Sequence, residues 1–132
     1  MALYISGSVK SWMDYRAITN TSTKNYQIAQ SATPDAHGFM KESGRYCVAL
    51  GSYYGDIGDE FRITFEDGQT IRAIKTDGKS DKHTDATRSY CIYDESLVEF
   101  LVIPEQLDEE IKLSGDCDAR FKGKILRIER RK

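Results

Sequence analysis

The residues most suited to chemistry lie in one polar stretch, KTDGKSDKHTD, which occupies residues 75–85. It holds three aspartates at intervals of four residues, three lysines and one histidine. Aspartates at this spacing would share one face of a helix, but like charges repel there and a glycine follows the first. Carboxylates and a histidine suit a metal ion, but lysines are interleaved and the spacing matches no calcium-binding loop. We therefore expect no metal and a largely solvated loop whose charges neutralise one another.

Asp77 is the exception within this stretch. The pair Asp67-Gly68 predicts a hairpin turn, because a tight turn favours positive φ, and the return strand runs directly into Asp77. A carboxylate at the end of a strand has an anchored backbone, so its side chain can be held in a fixed direction. We therefore predict that Asp77 is functional and expect Asp81 and Asp85 to be solvated.

A second candidate carboxylate is Glu99 in the hydrophobic segment SLVEFLVI, residues 96–103. Period-two alternation places Leu97, Glu99 and Leu101 on one face of a strand. Neighbouring leucines would desolvate the carboxyl group and raise its pKa. The alternative is a glutamate on an edge strand that points into solvent, but apolar residues on both faces favour a central strand, where an unpaired carboxylate is costly. A carboxyl group with a raised pKa beside a second carboxylate suits general acid–base catalysis.

Tyrosines and basic side chains near these carboxylates are candidates for substrate binding. Tyr53 and Tyr54 lie between two glycines, and exposed rings beside carboxylates suit sugars, whose C–H faces pack on aromatic rings. The alternative is that one ring lies in the core and the other at its rim. Lys79 and His83 are candidates for holding substrate. No organic cofactor is required by this set of residues.

The elements predicted to position these residues are mainly β-strands. Apolar and polar residues alternate over 61–65, which is typical of a half-buried strand. Short helices are predicted within 20–33, capped by Ser22 or Thr23, and within 104–115, which begins with proline. Five or six strands with one or two short helices predict a small mixed β-barrel. Its core is expected to bury six apolar residues: Phe61, Ile63, Phe65, Val98, Phe100 and Ile125.

Length and composition indicate a single domain over residues 1–132. The net charge is −2, from 19 basic and 21 acidic residues, which predicts no nucleic-acid or membrane partner. The chain begins with neither the basic nor the apolar region of a signal peptide. We therefore expect it to be cytoplasmic as made, or delivered to a particle or wall by another route. The cysteines Cys47, Cys91 and Cys117 form no CxxC pair, so we expect free thiols without a disulfide or zinc.

The order of these features resembles a known group of proteins. A strand ending in YCVALGSYYGDIGDEF is followed by a hairpin, by Thr76-Asp77-Gly78 and by the acidic strand VEFLV. This order is similar to that of the double-psi β-barrels: the three-aspartate cell-wall domains, the murein lytic transglycosylase A family and, more distantly, barwin and expansins. The group usually has an aspartate where this chain has Glu99. It also has a glycine-rich phrase after the first aspartate, where this chain has lysines and His83.

The resemblance covers about residues 26–128, and it implies that this barrel core is a mainly β, double-psi-like barrel that acts on cell-wall glycan. In a lytic transglycosylase-like or glycosidase-like enzyme, Asp77 would be the acid/base and Glu99 its partner. The tyrosines and basic residues named above would bind peptidoglycan. The alternative is a non-catalytic β-barrel module of a phage or mobile element that is structural, binds a host wall or inhibits a protein. A protein partner is expected in that case.

Overall fold

The computed structural model describes residues 9–89 and 96–131, and within these ranges the chain is mainly β. One mixed sheet contains eight strands, accompanied by two α-helices and four short 3-10 turns. The strands are β1 (Val9–Asp14), β2 (Thr33–Pro34), β3 (Met40–Glu42), β4 (Arg45–Leu50), β5 (Glu60–Phe65), β6 (Thr70–Gly78), β7 (Ser96–Val102) and β8 (Ile125–Arg130). The helices are α1 (Lys24–Ser31) and α2 (Glu109–Ser114). Neither of these two helices is long and apolar enough to cross a bilayer.

The sheet has the order β1-β7-β4-β6-β5-β8, and β2 and β3 extend from β4 as a short antiparallel pair. The β1–β7 and β4–β6 pairs are parallel. The β4–β7, β5–β6 and β5–β8 pairs are antiparallel. Because β7 has a hydrogen-bonded partner on each side, the expectation that the strand carrying Glu99 is central is confirmed.

The main core fills the concave side of the sheet with aromatic and branched side chains. All six residues predicted for it are fully buried. Phe100 stacks on Phe121 with ring centroids 4.5 Å apart, and Phe39 meets Phe100 edge-on at 5.6 Å. These are the offset and edge-to-face arrangements that aromatic pairs favour. The aromatic cluster therefore ties β7 to the segments that precede β3 and β8.

A second, smaller core lies on the opposite face of β4, β6 and β7. It contains Cys47, Ile74 and Leu101 from the three strands, with Met40 from β3 and Ala29 from α1. Thr23 caps α1, because its side chain accepts a hydrogen bond from the backbone N–H of Tyr26 at 3.1 Å. The three central strands are therefore packed on both faces, and we call the face beneath α1 the outer face.

The end strands of the sheet, β1 and β8, are linked through a side chain. Lys10 of β1 is 2% exposed. Its Nζ donates hydrogen bonds to the backbone oxygen of Gly123 and to Asp118 at 3.1 Å. Both acceptors precede β8 in the chain, so this lysine spans the gap between the ends. Among the described residues, β1 and β8 form no ladder of backbone hydrogen bonds, and this side-chain contact links them instead. Closure as a double-psi barrel stays a prediction.

Two segments differ from their predicted structure. The stretch 104–115 is not one helix: a 3-10 turn at Pro104–Gln106 precedes α2, which begins at Glu109. The break lets Leu107 enter the core, where it is 7% exposed. Residues 34–44, whose proline and two glycines predict a loop, instead include part of β2 and all of β3, because the glycines adopt positive φ in turns beside strand residues that pair.

The stacking of Phe100 predicts a large stability difference between buried and exposed apolar residues. Phe100→Ala is expected to lower the free energy of unfolding by about 3–5 kcal/mol, because it removes a ring from a packed cluster and leaves a cavity. Leu113→Ala is the matched control, since Leu113 is 81% exposed, and it should change stability by less than about 0.5 kcal/mol. Urea denaturation measures both, and comparable losses for the two variants would contradict this core.

Candidate functional site

A β-bulge in β6 determines where Asp77 points. The parallel register of β4 and β6 pairs Val48 with Lys75 but the next residue, Ala49, with Asp77. Thr76 is therefore an extra residue in β6. Strict alternation from Lys75 would have placed Asp77 on the concave face, whereas the bulge turns it to the outer face with Ala49. Bulges commonly redirect a side chain in this way.

The bulge aligns two carboxylates on neighbouring strands. Ala49 of β4 pairs with Asp77 on one side and with Glu99 of β7 on the other. Paired residues of adjacent strands point to the same face, so Asp77, Ala49 and Glu99 form one row. Two strand spacings separate the α-carbons of the carboxylates by about 10 Å. The side chain between them is a methyl group.

Lys79 connects the two sides of this row. Its backbone N–H donates to the carbonyl of Leu50 at 3.2 Å, which places it beside β4 just after β6 ends. Its Nζ lies 3.8 Å from Oε1 of Glu99, so the side chain must cross β4 to reach β7. The Lys79 side chain is 7% exposed and that of Glu99 is 31% exposed. The sequence singled out Lys79 and Glu99 separately, and the structure brings them together.

Asn25 and Ser11 complete the surroundings of the row, and the sequence analysis did not identify either. Nδ2 of Asn25, in the first turn of α1, donates to Oδ1 of Asp77 at 3.0 Å. Ser11 of β1 pairs with Glu99 at the other end of the row. Its Oγ is buried without a hydrogen-bond partner in the described structure. The sequence feature that could have located Asn25 was Thr23. As the predicted helix cap, it places Asn25 in the first turn of α1.

The loop after β4 presents one of the two predicted tyrosines. Tyr53 is 37% exposed, whereas Tyr54 is 6% exposed and belongs to the main core. The alternative of one core and one rim tyrosine is therefore the arrangement observed. Gly51 is required here, since a Cβ at that position would lie 2.1 Å from the backbone oxygen of Arg88. The same oxygen accepts a hydrogen bond from the N–H of Tyr53 at 3.2 Å.

A buried lysine forms a hydrogen bond to the loop that carries Tyr53. Lys75 is 4% exposed, and its Nζ donates to the backbone oxygen of Gly55 at 2.7 Å. Burial lowers the pKa of this ammonium group. Lys75 is therefore a structural residue that ties β6 to the loop carrying Tyr53.

The remaining charged residues of the 75–85 stretch form local turns. Asp85 accepts hydrogen bonds from the backbone N–H groups of Thr87 and Ser89, at 3.0 and 2.8 Å. It is half-buried, which corrects the expectation that it is simply solvated: the carboxylate is needed to close the turn. Asp81 accepts from Ser52 Oγ at 3.0 Å and keeps 49% of its side chain exposed. His83 is exposed on the 3-10 turn that Asp81 begins.

The cysteines within the described ranges are free thiols. Cys47 and Cys117 are both buried, and Cys91 lies outside the described residues. Burial raises the pKa of both thiols, that of Cys117 to about 12. Neither is suited to be a nucleophile, since the thiolate is the reactive form. Over the described residues, no three side chains of His, Cys, Asp or Glu converge as ligands for a metal ion.

Comparisons of this chain with protein-family models, with curated proteins and with solved structures found no match. The site is therefore interpreted from its own geometry, in which two carboxylates on one row are held by an amide and an ammonium group.

The contact between Lys79 and Glu99 predicts energetic coupling. Lys79→Met should destabilise the fold because it leaves a half-buried carboxylate beside an apolar chain. Glu99→Gln in the same background should recover part of that loss. A double-mutant cycle by urea denaturation is expected to give a coupling of about 1 kcal/mol. Additive losses, within about 0.3 kcal/mol, would show that the ion pair contributes nothing.

The buried thiols predict slow modification in the folded state. In a Cys91→Ser background, Cys47 and Cys117 should react with a disulfide reagent at pH 8 only when the protein unfolds, because burial blocks access and disfavours the thiolate. Both should react at once in denaturant without a reducing agent. Rapid labelling of either thiol in the native protein would contradict their placement, and fewer than two thiols in denaturant would indicate a disulfide.

Proposed function

We propose that this protein is a cell-wall glycan-acting domain whose site is the row of Asp77, Ala49 and Glu99 on the outer face. The alignment of the two carboxylates through the β6 bulge is the observation that carries the proposal. A bulge costs ladder hydrogen bonds and is often found beside a functional site. The double-psi barrel resemblance pointed to the same two residues from sequence order.

The chemistry of the row suits a sugar. Carboxylates accept hydrogen bonds from hydroxyl groups, and amides and ammonium groups donate them, so the row and its two supporting side chains offer both. Tyr53 supplies an exposed ring against which a sugar face can pack. The methyl group of Ala49 leaves room for the side chain of Lys79, which crosses between the carboxylates to reach Glu99. His83 is exposed nearby in sequence and stays a candidate substrate contact.

In the enzymatic form of the proposal, the reaction is a lytic transglycosylation. Protonated Asp77 gives its proton to the glycosidic oxygen as the C–O bond to the anomeric carbon breaks. Asp77, now a carboxylate, removes the proton from the 6-hydroxyl of the same sugar. That oxygen bonds to the anomeric carbon and closes an anhydro ring without consuming water, and Asp77 recovers its proton. In this scheme the carboxylate of Glu99 is the group that stabilises positive charge at the anomeric carbon, and Lys79 beside it holds it in position.

A second candidate function is glycan binding without cleavage, as a wall-binding module of a phage or mobile element. The contacts of both carboxylates favour it: Asn25 bonds Asp77 and Lys79 lies beside Glu99. Ala49 is 1% exposed, so the floor of the row is covered. A covered, hydrogen-bonded row suits recognition of a surface ligand, whereas cleavage requires the scissile bond to reach Asp77.

The enzymatic form predicts complete dependence on Asp77. Digestion of purified peptidoglycan by the parent should release anhydro-muropeptides detectable by mass spectrometry. Asp77→Asn keeps the shape of the side chain but cannot titrate, so release should fall at least about 100-fold. Its stability should change by about 1 kcal/mol or less.

Asp81→Asn is the matched control, because it makes the same change on an exposed turn of the same loop, and it should leave activity within a few-fold of the parent. Equal cleavage by the parent and Asp77→Asn would refute the catalytic assignment. Sedimentation with insoluble peptidoglycan separates the two candidates: binding by the parent without any product supports the non-catalytic module, and absence of both refutes a glycan site.

A further inference from the structure

A second charged site lies on the exposed side of β5, β6 and β8, away from the row. An open cleft of about 500 Å³ is lined by Arg62, Arg72, Glu129, Arg130 and Arg131. We call it the arginine cleft. Its volume falls within the range of small-ligand sites.

The strand register forces like charges together in the cleft. Arg62 of β5 pairs directly with Arg72 of β6 and, on its other side, with Glu129 of β8. Like charges directly opposite each other on a sheet are destabilising. The side chains of Arg62 and Arg72 are 58% and 53% exposed, so their guanidinium groups reach solvent rather than the protein interior.

Too few carboxylates are present to balance the arginines around Glu60. Its carboxylate is shared by Arg45 at 3.1 Å, Arg72 at 3.2 Å and Arg131 at 2.8 Å. These guanidinium groups hold the pKa of Glu60 below its usual value, that of Arg72 above all. Arg45 has a second carboxylate partner, Glu42, whereas Arg72 and Arg131 share the carboxylate of Glu60.

Glu129 is shared in the same way. Its Oε1 lies 3.6 Å from Nε of Arg62 and 3.9 Å from Nε of Arg127. Both distances exceed a normal hydrogen bond. The guanidinium group of Arg62 therefore keeps most of its five N–H donors available to an anion that enters the cleft.

Acidic residues flank the arginine cleft along the direction of the strands. Exposed carboxylates stand at both ends of β5: Asp56, with half-buried Asp59, precedes it, and Glu66 and Asp67 follow it. An extended polyanion running along the sheet would meet these negative groups. The residues lining the cleft also include no aromatic ring on which a nucleic-acid base could stack. A compact anion fits this charge pattern better than a polymer.

We propose that the arginine cleft binds a compact diphosphate group, either as free pyrophosphate or as part of a nucleoside diphosphate. Arg62, Arg72 and Arg131 supply the contacts, because the planar fork of arginine matches phosphate oxygens bidentately. This site is independent of the glycan site: it lies on β5, β8 and the beginning of β6, and it uses none of the residues of the row.

Calorimetric titration of the full chain with inorganic pyrophosphate, with ADP and with a single-stranded oligonucleotide tests the proposal. The parent should bind one diphosphate, more tightly at low than at physiological ionic strength. Arg62→Gln and Arg72→Gln should each weaken binding at least about fivefold. Glu129→Gln should strengthen it, since it removes a competing carboxylate. Arg16→Gln, the same charge change at a residue paired with Asp14 and Glu105 outside the cleft, should stay within about twofold.

The two ligands distinguish the source of the diphosphate: tighter binding of ADP indicates a nucleotide and tighter binding of pyrophosphate a free diphosphate, and both support the site. Absence of saturable binding to the parent would overturn the proposal, as would equal weakening by Arg62→Gln and Arg16→Gln. Much tighter binding of the oligonucleotide, lost in the same arginine variants, would overturn the compact ligand in favour of a polymer. Thermal unfolding of each variant confirms that a loss of binding is not a loss of fold.

Discussion

The candidate glycan site depends on one extra residue in β6. Thr76 interrupts the alternation between Lys75 and Asp77, so the lysine stays on the concave face and the aspartate moves to the outer face. Thr76 is fully buried, and its Oγ1 donates to the carbonyl of Ile74 at 3.2 Å. This local bond accompanies the break in the ladder. Bulges are uncommon in parallel pairs, and this one aligns Asp77 with Ala49 and Glu99.

The same bulge separates two lysines into different roles. Lys75 remains inside and anchors the loop that presents Tyr53. Lys79, which follows the end of β6, crosses β4 to Glu99. β6 and the residue that follows it therefore supply a structural lysine, a carboxylate and a lysine that contacts the opposite carboxylate. The central strands can hold these groups in fixed positions because they are packed on both faces.

Much of the fold could be predicted from sequence, because periodicity and turn chemistry are local. Alternation identified β5 and its buried residues, and Asp67-Gly68 identified the hairpin between β5 and β6. The site was predicted only in part. Asp77 and Glu99 were proposed from the sequence as site residues, but the row that unites them depends on a bulge that no local pattern signals. Asn25 and Ser11 lie beside the row because of tertiary contacts that the local sequence does not signal. Long-range packing also determines that Tyr54, and not Tyr53, is buried in the core. The arginine cleft was not predicted from the sequence for the same reason. Arg62 and Arg72 are ten residues apart in sequence and become neighbours only through strand register.

The central claim is that a glycan contacts Asp77 and Glu99, the two carboxylates that flank the buried Ala49. The most direct measurement is a nuclear magnetic resonance titration of the isotopically labelled parent with soluble peptidoglycan fragments. The methyl resonance of Ala49 and the side-chain carboxyl resonances of Asp77 and Glu99 are predicted to shift together with one saturation curve, while Thr64, on the exposed face of β5, stays unchanged. Unchanged resonances across the row at saturating fragment, or shifts confined to other surfaces, would contradict the account.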